Sequence, residues 1–88
     1  MSLIPDKTKK IQQENFRTYR DMRDWMGQNR FRNKGYVLEE PWKNFFVERW
    51  EKDGLVAFTM NVLDVRSFDT LPLEIVEKPY QVDIATVD

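Results

Sequence analysis

Polar and apolar positions first fall into a regular pattern between about Lys7 and Met26. On a helical wheel Ile11, Asn15, Thr18, Tyr19, Met22, Trp25 and Met26 gather within an arc of about 120°, which predicts a first helix with that arc facing a core. Phe16 lies off the arc. Asp6, following Pro5, suits the N-cap, and Gly27 suits the left-handed position at the C-terminus. The stretch 28–35 is polar and basic, and Asn33-Lys34-Gly35 signals a turn. A second helix is predicted over Pro41–Lys52, where Trp42, Phe45, Phe46 and Trp50 recur at i, i+3, i+4 and i+8. Pro41 suits the first helical position, and Glu39 and Glu40 favour the positive end of the dipole. Asp53-Gly54 ends this helix, with Gly54 at positive φ.

Beyond Gly54 the texture becomes that of a sheet. Leu55–Val65 is a long apolar run that fits a buried strand, while the spacing of Leu55, Phe58, Val62 and Val65 also fits a helix. Ser67-Phe68-Asp69-Thr70 reads as a turn. Leu73 and Ile75 alternate with acidic neighbours, and Tyr80, Val82 and Ile84 alternate with Gln81 and Asp83. Two half-buried strands follow, separated by Pro79, one of them at a sheet edge. The predicted fold is α+β: two N-terminal helices packed on a small, mainly antiparallel C-terminal sheet of about three strands. Residues 1–88 read as one domain, with 1–6 an extended segment. Met1-Ser2-Leu3 is compatible with vector-derived residues and carries no weight.

Composition sharpens this picture mainly by exclusion. The 88 residues include twelve aromatics, 14% of the chain, more than one small core readily encloses. Cys and His are absent, which removes disulfides, thiolate chemistry, and the usual neutral-pH proton shuttle and metal ligand. No run of about eighteen apolar residues occurs, so no membrane span is expected. The lack of an export signal and of cysteine predicts a cytoplasmic protein. The net charge of −1 hides an asymmetry. Residues 1–36 carry nine Lys/Arg against four Asp/Glu, a balance of +5, and residues 37–88 carry five against eleven, a balance of −6.

Three groups of residues invite a functional reading. Arg17, Arg20 and Arg23 step along the first helix opposite its apolar arc, and Arg30, Arg32 and Lys34 extend the basic character, with Phe31 and Tyr36 interleaved. Guanidinium groups beside aromatic rings are what phosphate and single-stranded nucleic acid require. Arg17–Asp21 and Arg20–Asp24 are also i, i+4 pairs of the kind found on ordinary solvated helix faces, and that reading is favoured. The second group is Arg49, which falls inside the aromatic arc of the second helix, where it must find a partner or stack on a ring. With Trp42, Phe45 and Phe46 it has the composition of an interaction hot spot, or of a core helix whose Arg stem lies on the rings. The third group, the carboxylates Glu39, Glu40, Glu48 and Glu51, shows no ligand spacing, and Glu48 stands i, i+4 from Lys52. No nucleotide-, metal- or nucleophile-carrying motif occurs. The expectation is a protein without catalytic, metal or cofactor residues. It is a protein–protein interaction or assembly module, partnered by a second copy or a larger complex. Its candidate interface is Trp42, Phe45, Phe46, Arg49, Tyr80, Val82 and Ile84. The alternative is a small nucleic-acid-binding protein using Arg17, Arg20, Arg23, Arg30, Phe31, Arg32 and Lys34. Trp50 is expected to be buried and Trp25 more exposed.

Overall fold

In the computed structural model of the chain, which describes residues 9–40, 42–64 and 71–86, the strongest local signal turns out to be Asp53-Gly54. An Asp-Gly pair between alternating segments favours a tight hairpin. Here it joins strands β3 (Glu48–Lys52) and β4 (Leu55–Asn61), with Lys52 paired to Leu55 and Gly54 at φ 71°. The positive φ expected of Gly54 is therefore present, but in a strand turn and not at a helix end.

The sheet grows outward from this hairpin. β5 (Tyr80–Thr86) pairs antiparallel with β4, and β1 (Lys9–Phe16) pairs antiparallel with β5. On the other side β2 (Arg32–Tyr36) pairs antiparallel with β3, with an irregularity between Asn33 and Tyr36. The order is β1-β5-β4-β3-β2. Helix α1 (Tyr19–Gln28) links β1 to β2, and the short helix α2 (Leu73–Glu77) precedes β5. Single 3₁₀ turns cover Trp42–Asn44 and Val62–Asp64. This corrects the expected pair of N-terminal helices on about three strands: among the described residues the sheet has five antiparallel strands, and the two helices are short.

Each difference has a local cause. The predicted first helix divides at Thr18, whose side chain accepts a hydrogen bond from the Asp21 N–H at 3.1 Å and so caps α1. The residues before it form a polar edge strand, which needs a partner on one side only. Lys10 reinforces that pairing by reaching the buried Asp83 carboxylate at 3.1 Å. The left-handed position that closes α1 is not Gly27 but Arg30, two residues beyond Gln28, with φ 65°. There the Arg30 and Phe31 N–H groups bond back to the Gly27 and Met26 carbonyls, each at 3.0 Å. The predicted second helix is replaced by the Trp42–Asn44 turn and by β3. The Leu73–Ile75 strand is replaced by α2. The run from Leu55 resolves as a strand followed by the Val62–Asp64 turn. The expected 1–6 segment, the Asp6 cap, Pro41 and the 67–70 turn lie outside the described residues.

Strand alternation puts a core on each face of the sheet. On one face Met22 and Met26, one helical turn apart on α1, pack on Trp50, Ala57, Val82 and Ile84. On the other, Val56, Phe58, Met60 and Ala85 meet Val47, Trp42, Phe45 and Ile75. β5 lies between β1 and β4, so of the two strands expected on either side of Pro79 the one that forms is not at an edge. Trp50 is buried, and its indole N–H donates to Thr59 Oγ1 at 3.3 Å; Trp25 is half-buried against Phe16, with ring centroids 5.7 Å apart.

Candidate functional site

The β2–β3 ribbon ends in two clefts of opposite character. Its Tyr36/Glu48 end opens into a cavity of about 230 Å³. The walls come from separate elements: Tyr19 from the start of α1, Tyr36 from the end of β2, Phe45 and Phe46 from the turn before β3, and Tyr80 from the start of β5. Tyr36 and Phe46 stand edge to face with centroids 6.1 Å apart, and Tyr19 and Tyr80 do so at 6.2 Å. Phe46 is 72% exposed and Tyr36 59% exposed, so this is an open mouth. Phe46 is held at φ 53°, an uncommon conformation for an aromatic residue.

At the base lies Glu48, only 8% exposed. Its carboxylate accepts a hydrogen bond from Asn33 Nδ2 at 2.5 Å and lies against the Tyr19 hydroxyl. Among the described residues, no Lys or Arg forms an ion pair with it. Partial burial first, then the hydrogen bond to Glu48 and the Glu48 charge, push the Tyr19 hydroxyl up to about 12 from 10.0, opposed by Arg23. Asp64, from the turn after β4, adds a second carboxylate to the lining.

The opposite end is basic. Arg30, Arg32, Lys34 and Lys52 surround a wider cleft of about 460 Å³, with Glu51 and Asp53 among them. Lys52 Nζ stands 5.3 Å from the centre of the Phe31 ring. Phe31 itself is buried and offers no face for a stacked base.

The structure thus divides the residues singled out in the sequence. Arg30, Arg32 and Lys34 meet and are joined by Lys52. Arg17 lies in the bend before α1 and Arg20 and Arg23 on its exposed surface, away from the cleft. Of the candidate interface residues, Val82 and Ile84 are core. Trp42 and Phe45 are half-buried against the second core, Phe46 is exposed, and Tyr80 lines the aromatic cavity. Arg49 stacks at 5.7 Å on Phe58 and bonds Glu51 at 2.9 Å, so its charge is partnered on its own sheet face. Tyr19, Asp64 and the joint role of Tyr36 with Glu48 escaped the sequence reading. Only the Asp53-Gly54 hairpin signal, with its alternation, would have placed Glu48 in a strand. Comparison of the chain with protein-family models, with curated proteins and with solved structures gives no match.

Proposed function

We propose that the chain is a non-enzymatic protein-interaction module whose partner is a second copy of itself. The observation carrying this reading is the opposite charge at the two ends of one exposed ribbon: Arg30, Arg32, Lys34 and Lys52 at one, Glu48 and Asp64 amid exposed rings at the other. β2 is an edge strand exposed along its whole length. A two-fold axis beside it runs the two copies of β2 antiparallel. Each basic end then faces the aromatic, acidic end of the other copy. The irregularity at Asn33–Tyr36 and the positive φ of Gly35 interrupt the edge ladder, so side chains rather than a continuous ladder carry the contact. A cytoplasmic setting belongs to the same reading and rests on a chain without cysteine. Among the described residues, no helix is long and apolar enough to cross a membrane.

Size-exclusion chromatography with light scattering tests this reading. The expected result is a dimer that dissociates as salt rises. R32E/K34E should disperse it, and adding D64K should restore it by exchanging the charges. A monomer at hundreds of micromolar in low salt overturns the reading.

The gathering of four cations at the basic cleft favours a second reading, phosphate or nucleic-acid binding there. It predicts oligonucleotide affinity that falls steeply with salt and is lost in R32E/K34E. Absence of binding at low salt removes it.

A further inference from the structure

Burying a carboxylate is unfavourable unless a counter-charge accompanies it. Three carboxylates among the described residues sit in ion pairs, those of Glu40, Glu51 and Asp83. Glu48 is nearly as buried as Asp83, yet among the described residues it forms no ion pair, and the groups that meet it are the neutral Asn33 and Tyr19. Its surroundings are equally particular. Ring faces carry negative quadrupole potential, and a cation near them gains attraction that grows as water is excluded. From these observations we infer that the cavity walled by Tyr19, Tyr36, Phe46 and Tyr80 is a binding site for an alkylammonium group, with Glu48 its counter-ion and Asp64 an acidic rim.

Size and ligand chemistry narrow the class. Pockets for drug-sized molecules span roughly 300–1,000 Å³. At about 230 Å³ this cavity suits a single substituted ammonium head on a narrow stem. Among the described residues, no three Asp or Glu side chains converge as a metal ion would need, and hard metal ions seek oxygen ligands rather than ring faces. An alkylammonium group needs only one or two carboxylates, because its methyl or methylene groups pack on the rings. Burial is the main cause of the raised Tyr19 pKa; the hydrogen bond to Glu48 and the Glu48 charge add to it, and Arg23 opposes it. The site holds whether or not two copies associate, and dilute monomeric protein serves to test it.

The test is a titration followed by amide chemical shifts, with tetramethylammonium chloride as probe and the neutral isostere 3,3-dimethylbutanol as control. Saturable binding of the ammonium is expected with a Kd of the order of millimolar, about tenfold tighter than the isostere. E48Q should weaken it about tenfold, and F46A or Y36L, at exposed positions that leave the core intact, by a few-fold. Two further probes, acetyl-lysine methylamide and its trimethylated form, distinguish sources. Tighter binding of either than of tetramethylammonium assigns a peptide-borne ammonium, and weaker binding of both assigns a free amine; both outcomes uphold the site. Equal binding of the neutral isostere, binding unchanged by E48Q and by F46A, or no saturable shift overturns it. Failure here leaves self-association untouched, because light scattering reads that separately.

Discussion

The two ends of the β2–β3 ribbon share their strands, yet they treat charge differently. At the Arg32/Lys52 end, cations and carboxylates intermix on the surface, and the Phe31 ring is buried beneath Lys52. At the Tyr36/Glu48 end the Glu48 carboxylate is buried and the rings of Tyr36 and Phe46 are exposed. A surface mixture of charges in water is worth little and specifies little. A desolvated charge framed by aromatic faces is costly when empty and selective when filled. The charge-rich end is therefore the weaker candidate for specific recognition, and the aromatic end the stronger.

Removing the scaffold common to both ends should have the largest effect. Trp50 is buried in β3 between them, and W50A is expected to cost about 3–5 kcal/mol, against a total stability of about 5–15 kcal/mol for native domains. W25A, at a half-buried position, should cost clearly less. Denaturant melts of the two variants compare them. Greater damage from W25A would make the α1 layer, not the hairpin, the centre of the fold.

A change confined to the basic end should be milder. At Gly54 an added Cβ meets nothing within 4 Å, so the penalty of G54V is the left-handed backbone alone. About 1–2 kcal/mol is expected in a urea melt, with the ammonium affinity retained. Loss of that affinity would show the two ends to be coupled.

The aromatic end has its own pH signature. Tyr19 is raised from 10.0 to about 12 in the folded chain, so between these values the native state holds a proton that the unfolded state has lost. Stability from this group is complete below pH 10 and declines as pH rises through 12. Y19F should remove that decline, and E48Q should reduce it by lowering the Tyr19 pKa. Denaturant melts across the alkaline range, with an ultraviolet tyrosinate titration, read both. An unchanged alkaline profile in Y19F contradicts this assignment.

The smallest effect on stability is expected at Phe46. F46G relieves the strain at φ 53° and removes a ring that is mostly exposed, so stability should rise slightly or change by no more than about 1 kcal/mol. The ammonium affinity should nevertheless fall. Substantial destabilisation would mean that Phe46 serves packing rather than recognition.

The sequence displayed the basic end openly and concealed the acidic one. Arg30, Arg32 and Lys34 are neighbours in the chain, so a linear charge count finds them. Tyr19, Tyr36, Glu48 and Asp64 come from four elements and meet only through strand pairing. The helix expected over Pro41–Lys52 rested on the spacing of Trp42, Phe45, Phe46 and Trp50. That spacing satisfied a helical period, although Trp42 and Phe45 serve one face of the sheet and Trp50 the other. Asp53-Gly54 was legible as a chain reversal, but helix end and hairpin share the need for a left-handed glycine. β1 was hidden for a different reason. Its Lys, Gln and Glu residues favour helix in isolation, and only the unpaired side of β5 overrides that preference.

The most direct test of the difference between the two ends is a single amide chemical-shift map recorded with two probes, tetramethylammonium and inorganic phosphate. The ammonium is expected to move Tyr36, Phe46, Glu48 and Thr59 and to leave Arg32 and Lys52 in place, while phosphate moves the basic end alone and only weakly. Ammonium shifts spread equally over both ends, or centred on the basic cleft, would contradict the assignment of the aromatic cavity as a cation site.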